Sequence, residues 1–238
     1  MDDVLRQNRL LARLPVSEVA ELSAHLEAVD VPRGYLLRGQ DDPAVWVYFP
    51  VAGLVSVVGR DRTGAGVDVA VVGRDGVVDA HAALVDVPLP TEVLQQIPGS
   101  AVRMRASDFR DAVASRPSLR HVVDLYLAAL FVEVAQCSAC NRLHPLPARI
   151  ARWLLLTSEH VGSDQFALTH ELLALMVGSS RPKVTERLGA MAEAGMIELG
   201  RKEVRLLDKA ALGAHACDCH RAITETRDRI FAESVAHG

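Results

Sequence analysis

Aromatic side chains are scarce: two Trp, three Tyr and five Phe among 238 residues. A stacking platform for single-stranded nucleic acid needs several such rings, so that class of binding is excluded. A broad positive field is missing as well, since 26 Lys and Arg face 30 Asp and Glu for a net charge of −4. No uninterrupted apolar run approaches the ~20 residues of a membrane span. Met1 to Leu14 mixes acidic residues with arginines and lacks a signal-peptide profile. A cytoplasmic chain with no membrane partner is therefore expected. Its four cysteines are then expected to be thiols rather than disulfides, and none occurs before Cys137.

Half the residues are apolar and 24% are charged, which is the composition of a globular protein. Leu10, Leu14, Val19, Leu22 and Leu26 fall at helical spacing between Leu5 and Val29, with a break at Pro15, and predict two short helices. From Val31 to Arg105, Val-rich stretches are cut by Gly and Pro about every ten residues. Tyr35–Leu37, Val45–Phe49, Gly53–Val58, Val67–Val72 and Ala101–Met104 read as strands of a small barrel or sandwich. After Pro117, apolar residues at Leu119, Val122, Val123, Tyr126, Leu130, Val134 and Cys137 share one face of a long helix from about Ser118 to Asn141. Leu125, Leu127, Phe131 and Val132 make a second apolar face, for which a second copy of the chain is the economical cover.

Pro145 and Pro147 mark a break before a fresh helix from Ala148. In Leu168–Ile197, Thr169 is a good N-cap, and Leu172, Leu173 and Met176 form a buried stripe. Gly178 suits a left-handed turn. A second cap follows at Ser179 or Ser180, with Pro182 close to the first helical position. Val184, Leu188 and Met191 then face inward, while Arg181, Lys183, Thr185 and Glu186 face outward from the first turns. Gly195 ends this helix. Ile197–Leu199, Gly200–Lys202 and Glu203–Leu207 read as strand, turn and strand, and Arg201 with Lys202 suits a turn resting on phosphate. Between Asn141 and Arg205 there are nine Lys or Arg and seven Asp or Glu, about +2, so DNA binding must rest on placement.

Arg149-Ile150-Ala151, Leu168-Thr169, Val177-Gly178, Ser180-Arg181, Val184 and Gly195-Met196-Ile197 resemble the winged helix-turn-helix of the Crp/Fnr superfamily of bacterial regulators. The order of the whole chain is similar too. The resemblance implies an α+β chain: an N-terminal antiparallel β-roll (jelly-roll-like) over 1–117, a long dimerisation helix over 118–141, and a winged helix-turn-helix with a helical tail over 142–238. It implies a cytoplasmic homodimer, not an enzyme, that regulates transcription on a pseudo-palindromic DNA operator with RNA polymerase as a further partner. Arg181 would read a base edge, and Ser180, Lys183, Thr169 and Arg149 would contact phosphate. Ser179, Thr185, Glu186, Arg201 and Lys202 complete the expected DNA-binding set. Pro182 and Glu186 stand where better-known members have Glu and Arg, so the operator sequence does not carry over.

Members that bind cyclic nucleotides carry Gly-Glu followed some ten residues later by Arg-Ser or Arg-Thr, the Arg neutralising the phosphate. Here Gly76–His81 offers only Asp79 as the acid, no arginine lies between Arg74 and Arg103, and Glu92 would repel a phosphate. The effector is thus expected to be an unknown small molecule or absent, not a typical cyclic nucleotide. Iron–sulfur members hold N-terminal cysteines, which are missing here. His81 and His25 give no specific haem signal, and His81 with Asp79 lacks the nucleophile or second ligand of an enzyme. No cofactor is expected. Metal or thiol-redox sensing through Cys140, Cys217 and Cys219 is the alternative reading. Against a metal, Cys217 and Cys219 would point about 200° apart if 210–221 were one helix.

Overall fold

In the computed structural model, residues 2–60, 62 and 66–233 are described. The outer limits expected for the first and last segments, Met1 and Gly238, lie outside them. The chain divides into two compact units, residues 1–64 with 70–128 and residues 65–69 with 129–238.

The first unit begins with α1 (Asp2–Leu5), a 3-10 turn and α2 (Val16–Ser23), followed by β1 (Glu27–Val31), β2 (Leu36–Arg38), β3 (Trp46–Pro50) and β4 (Leu54–Arg60). β5 (Gly66–Val72), of which only 70–72 belong to this unit, β6 (Thr91–Ile97) and β7 (Gly99–Arg105) complete two sheets, ordered β1-β7-β3 and β2-β6-β4-β5. β1 and β3 both pair with β7 antiparallel, with Glu27 opposite Arg103 and Val47 opposite Met104. Val31, Tyr48, Val55, Val72, Val78, Val93 and Ala101 form a buried cluster in this unit. α3 (Ala106–Ser115) follows β7, and its Phe109 meets Phe49 edge-to-face at 5.9 Å. Buried Asn8 ties the N-terminal segment to this core: its amide donates to the carbonyls of Pro50 and Gly76, while its oxygen accepts from the Leu10 and Leu11 amides. All its polar capacity is spent inside, as a buried amide requires.

The helix expected to reach Val29 stops at Ser23, and Glu27–Val31 is strand instead, paired with β7. β6 went unread because its buried positions include Gln95 and Gln96. The Gln95 side chain is satisfied at 2.7 Å by the Ile97 carbonyl, so a polar residue occupies a core position without an unpaired group.

α4 (Pro117–Leu143) is one unbroken helix, as its spacing predicted, about 40 Å long at 1.5 Å per residue. Its buried stripe is Leu119, Val122, Val123, Tyr126, Ala129, Glu133 and Cys140, leaving Leu130 and Val134 half-exposed. By length and composition α4 could cross a membrane, which a count of uninterrupted apolar runs overlooked. Only 28% of its most apolar stretch is buried within the chain, and Phe131 is 74% exposed.

In the second unit, α5 (Leu146–Val161), β8 (Gln165–Ala167), α6 (His170–Met176), α7 (Arg181–Glu193), β9 (Ile197–Gly200) and β10 (Glu203–Leu206) precede α8 (Lys209–His215) and α9 (Cys219–Glu233). The small sheet is ordered β8-β10-β9. β8 was not foreseen: three residues carry too little pattern to register. α5 is the core of the unit, with Ile150, Ala151 and Leu154 fully buried and Trp153 edge-on to Phe166.

Glu159 of α5 fastens α9. It accepts from His220 at 3.1 Å and from Arg227 at 2.6 Å. Burial pushes the Glu159 carboxyl up, but these hydrogen bonds and charges overcome it and hold the carboxyl down at about 2. A depressed folded-state pKa adds stability that is full above the unfolded value, roughly 4.3, and disappears as pH falls through the folded one. Glu159→Gln is therefore expected to unfold at lower urea than the wild type at pH 7, with the gap closing as pH approaches 2. A gap independent of pH over that range would refute the assignment.

Candidate nucleic-acid interface

The geometry of α6 and α7 follows from their caps and turn. Thr169, at φ −117° and ψ 150°, accepts from the Leu172 amide at 3.3 Å and caps α6. Buried Leu172, Leu173 and Met176 direct one face of α6 inward, and Val177 closes it. Gly178 takes φ +59°, a left-handed conformation that costs glycine little. Ser180 has the extended backbone of an N-cap, and α7 begins at Arg181 with Pro182 in its first turn. Val184, Leu188 and Met191 are buried, and Gly195 at φ +71° ends the helix as expected.

The expected contact residues fall into three sets. Ser180, Arg181, Lys183, Thr185 and Glu186 are exposed on the first turns of α7, with Ser179 half-buried just before them. Arg201 and Lys202 are exposed in the two-residue turn between β9 and β10, where Lys202 takes φ +65°. Arg149 and Thr169 are committed inside the unit. The Arg149 guanidinium donates at 2.7 Å to the Val177 carbonyl and at 3.0 Å to the Asn141 carbonyl. It thereby secures the turn before α7.

Two partners of α7 escaped sequence reasoning. Glu171 pairs with Arg181 at 2.8 Å, both side chains being exposed. His170 meets the Thr185 hydroxyl at 2.8 Å. Their positions at the start of α6 are the only signal; which outward side chains meet across two helices depends on the turn angle. An exposed ion pair is worth about 0–1 kcal/mol, so Arg181 can exchange Glu171 for another acceptor at little cost. On the strand pair, Arg205 and Gln165 bond at 3.0 Å and Arg205 lies 3.5 Å from Glu198, giving that surface mixed rather than positive charge.

His81 and Asp79, considered as an acid–base pair, do approach to 3.8 Å in the first unit. Asp79 is engaged elsewhere, however: Arg38 Nε lies 3.0 and 3.1 Å from its two oxygens, and both side chains are almost fully buried. Burial pushes the Asp79 carboxyl up, while the Arg38 charge and hydrogen bonds pull it back. Arg38 also donates to the Thr91 carbonyl at 2.7 Å and to its hydroxyl at 3.1 Å. Glu92 is paired with Arg60.

The helix assumed for 210–221 is interrupted. α8 ends at His215, Ala216 is extended at ψ 153°, and α9 starts at Cys219. The geometrical objection to Cys217 and Cys219 acting together therefore falls.

Arg149 generates a direct test of how α7 is held. Arg149→Ala removes the donor from two carbonyls and is expected to destabilise the chain by about 1–3 kcal/mol, read as a lower urea midpoint. An unchanged midpoint would show that solvent replaces the guanidinium freely.

Residues 148–214 match the model of the Crp-like helix-turn-helix domain. The chain is 25% identical over 223 residues to a CRP-like cAMP-activated global transcriptional regulator of Mycobacterium tuberculosis, covering 91% of this chain and all of that protein. Its fold is similar to that of FixK2 from Bradyrhizobium japonicum, with a TM-score of 0.69 and 16% identity over 81% of this chain and 98% of the other. A CRP-family transcriptional regulator from Thermus thermophilus gives a TM-score of 0.66 and 22% identity, over 79% and 96% of the two chains. The α+β architecture, two antiparallel sheets followed by a long helix and a helix-turn-helix with a small sheet, is thus the one the sequence implied. With the α6–turn–α7 geometry in place, residues 148–214 are a Crp-like helix-turn-helix domain, a DNA-binding element, and the chain as a whole is similar to a CRP-like transcriptional regulator.

Proposed function

We propose that the chain acts in the cytoplasm as a homodimer that reads a pseudo-palindromic operator through the start of α7 and engages RNA polymerase there. The observation that carries this reading is the exposed cluster Ser180, Arg181 and Lys183 at the first turn of a helix whose opposite face is buried. A helix end with cations and hydroxyls suits entry into a major groove, with half-sites about one helical turn apart. Arg181 reads a base edge, guanine being the usual partner of a bidentate Arg. Lys183, Ser179, Ser180, Thr185, Glu186, Arg201 and Lys202 complete the contact surface, while Thr169 and Arg149 support it from within. The working segments are the β-roll over 1–117, the dimerisation helix over 118–141 and the DNA-binding segment over 142–238.

The Mycobacterium tuberculosis relative is described as cAMP-activated. In this chain the effector differs from a typical cyclic nucleotide or is absent. That reading is supported by the engagement of Asp79 with Arg38 and by the lack of any arginine from Asp75 to Val102.

Selection of bound sequences from random DNA by the purified chain is expected to enrich a two-fold-symmetric site, and an unenriched pool at low salt would sink the proposal. On the selected site, Arg181→Ala is expected to lose about 1–3 kcal/mol and to relax preference at one base pair of each half-site.

A second copy is the partner that covers α4. Phe131 is 74% exposed one turn beyond half-buried Leu127, apolar side chains of the kind that a partner covers. Phe131→Asp is expected to convert a dimer into a monomer in sedimentation velocity and to weaken operator binding at least tenfold. A wild-type monomer at micromolar concentration would overturn the dimer.

A further inference from the structure

The break between α8 and α9 brings together side chains that sequence distance separates. Cys140 and His144 come from the end of α4 and the residue just beyond it, while Cys217 and Cys219 come from the break and the first residue of α9. Cys140 Sγ lies 3.3 Å from Cys217 Sγ, and Cys219 Sγ lies 3.4 Å from His144 Nδ1. All four ligand atoms fall within 4.8 Å of one another. We propose that Cys140, His144, Cys217 and Cys219 form a tetrahedral site for a soft divalent cation of the zinc class, fastening the C-terminal tail to the end of α4.

Three independent features support a metal. The first is size. A tetrahedron with Zn–S bonds of about 2.3 Å sets its sulfurs about 3.8 Å apart, and the separations here bracket that edge to within about 1 Å. The second is closure: Cys140 and Cys219 are buried, and His144 and Cys217 half-buried, leaving four protein ligands and no open position. The third is the surroundings. Three thiolates and a neutral imidazole around a dication carry a net charge of −1. The buried Arg152 guanidinium donates at 2.7 Å to Cys137 Sγ, one turn before Cys140, and so places a compensating cation beside the sulfurs. The Gln136 amide donates at 3.1 Å to Cys219 Sγ, the outer-shell contact that orients a thiolate ligand. Cys137 itself lies outside the four-ligand set. Binding releases three thiol protons to solvent and changes no oxidation state. The site is independent of operator recognition by α7.

The test uses the full chain, reduced, stripped with a chelator and kept under argon. Co²⁺ titration is expected to saturate at one ion per chain, with the thiolate charge-transfer absorption and intense visible bands of tetrahedral cobalt. Zn²⁺ should bleach these bands stoichiometrically and raise the melting temperature. Cys137→Ser should keep both the stoichiometry and the spectrum. Cys140→Ser and the pair Cys217→Ser with Cys219→Ser should weaken Co²⁺ binding by at least about 100-fold. Folding of each variant is checked by circular dichroism, and the wild-type spectrum decides the matter should a variant fail to fold. A wild-type chain that takes up no Co²⁺, or gives only the pale spectrum of six-coordinate cobalt, overturns the proposal. So does a cobalt spectrum that survives loss of Cys217 and Cys219, or a reduced chain that forms a Cys140–Cys217 disulfide in air yet takes up no metal when reduced again. None of these outcomes bears on DNA binding.

Discussion

The placement of α7 turns on one guanidinium. Arg149 stands at the first turns of α5, a helix otherwise sunk in the core, and donates to carbonyls at the end of α6 and near the end of α4. A helix C-terminus leaves its last carbonyls without partners, and a cation there also meets the negative end of the helix dipole. The Val177 carbonyl is therefore a strong acceptor, and fixing it fixes where Gly178 turns the chain. With the turn held, Val184, Leu188 and Met191 can be inward only in one rotation of α7, and that rotation leaves Arg181 and Lys183 in solvent. Arg149 was expected to touch phosphate. In the structure its guanidinium holds the turn ahead of the exposed Arg181 and Lys183.

The electrostatics follow from the same placement. Residues 141–205 carry only a small positive excess, and several of their cations already have acidic neighbours: Arg181 with Glu171, Arg187 with Glu186, Arg205 with Glu198. Each of these pairs is exposed, where attraction is screened and the net gain small. A phosphate oxygen or base edge can replace such a partner for little energy. Near-neutral overall charge thus limits non-specific attraction without blocking a specific contact, because long-range potential and short-range replacement draw on different distances.

Legibility in the sequence tracked how local the determining physics is. α4, the α6–turn–α7 pair and the β9–β10 hairpin were readable, since caps, glycines and apolar spacing act within a few residues. β1 was misread because Leu22 and Leu26 continue a helical spacing across the end of α2, and only pairing with β7 makes the following residues extended. β6 was invisible because Gln95 is buried, a polarity offset by a carbonyl two residues on. The pairing of Glu171 with Arg181 depends on the interhelical angle. Joint metal ligation by Cys217 and Cys219 was argued against on the assumption of a continuous helix; the extended Ala216 is a single backbone choice that no periodicity reveals.

The same distinction governs the β-roll. Sequence reasoning sought a cation within the stretch after Asp79, as a phosphate cassette would supply it. The cation beside Asp79 is instead Arg38, on β2, forty-one residues earlier, and it faces inward. Two charges buried together are stable only while both remain, and uncovering one costs about 3–5 kcal/mol. A ligand acid or hydroxyl that took Asp79 for itself would have to return that energy before gaining any affinity. Arg38 is further held by the Thr91 carbonyl and hydroxyl, so it cannot simply swing to a ligand phosphate. A pair locked on both sides serves the sheet that β2 and β6 share. Recognition of a ligand by Arg38 or Asp79 thus carries the cost of breaking this buried pair.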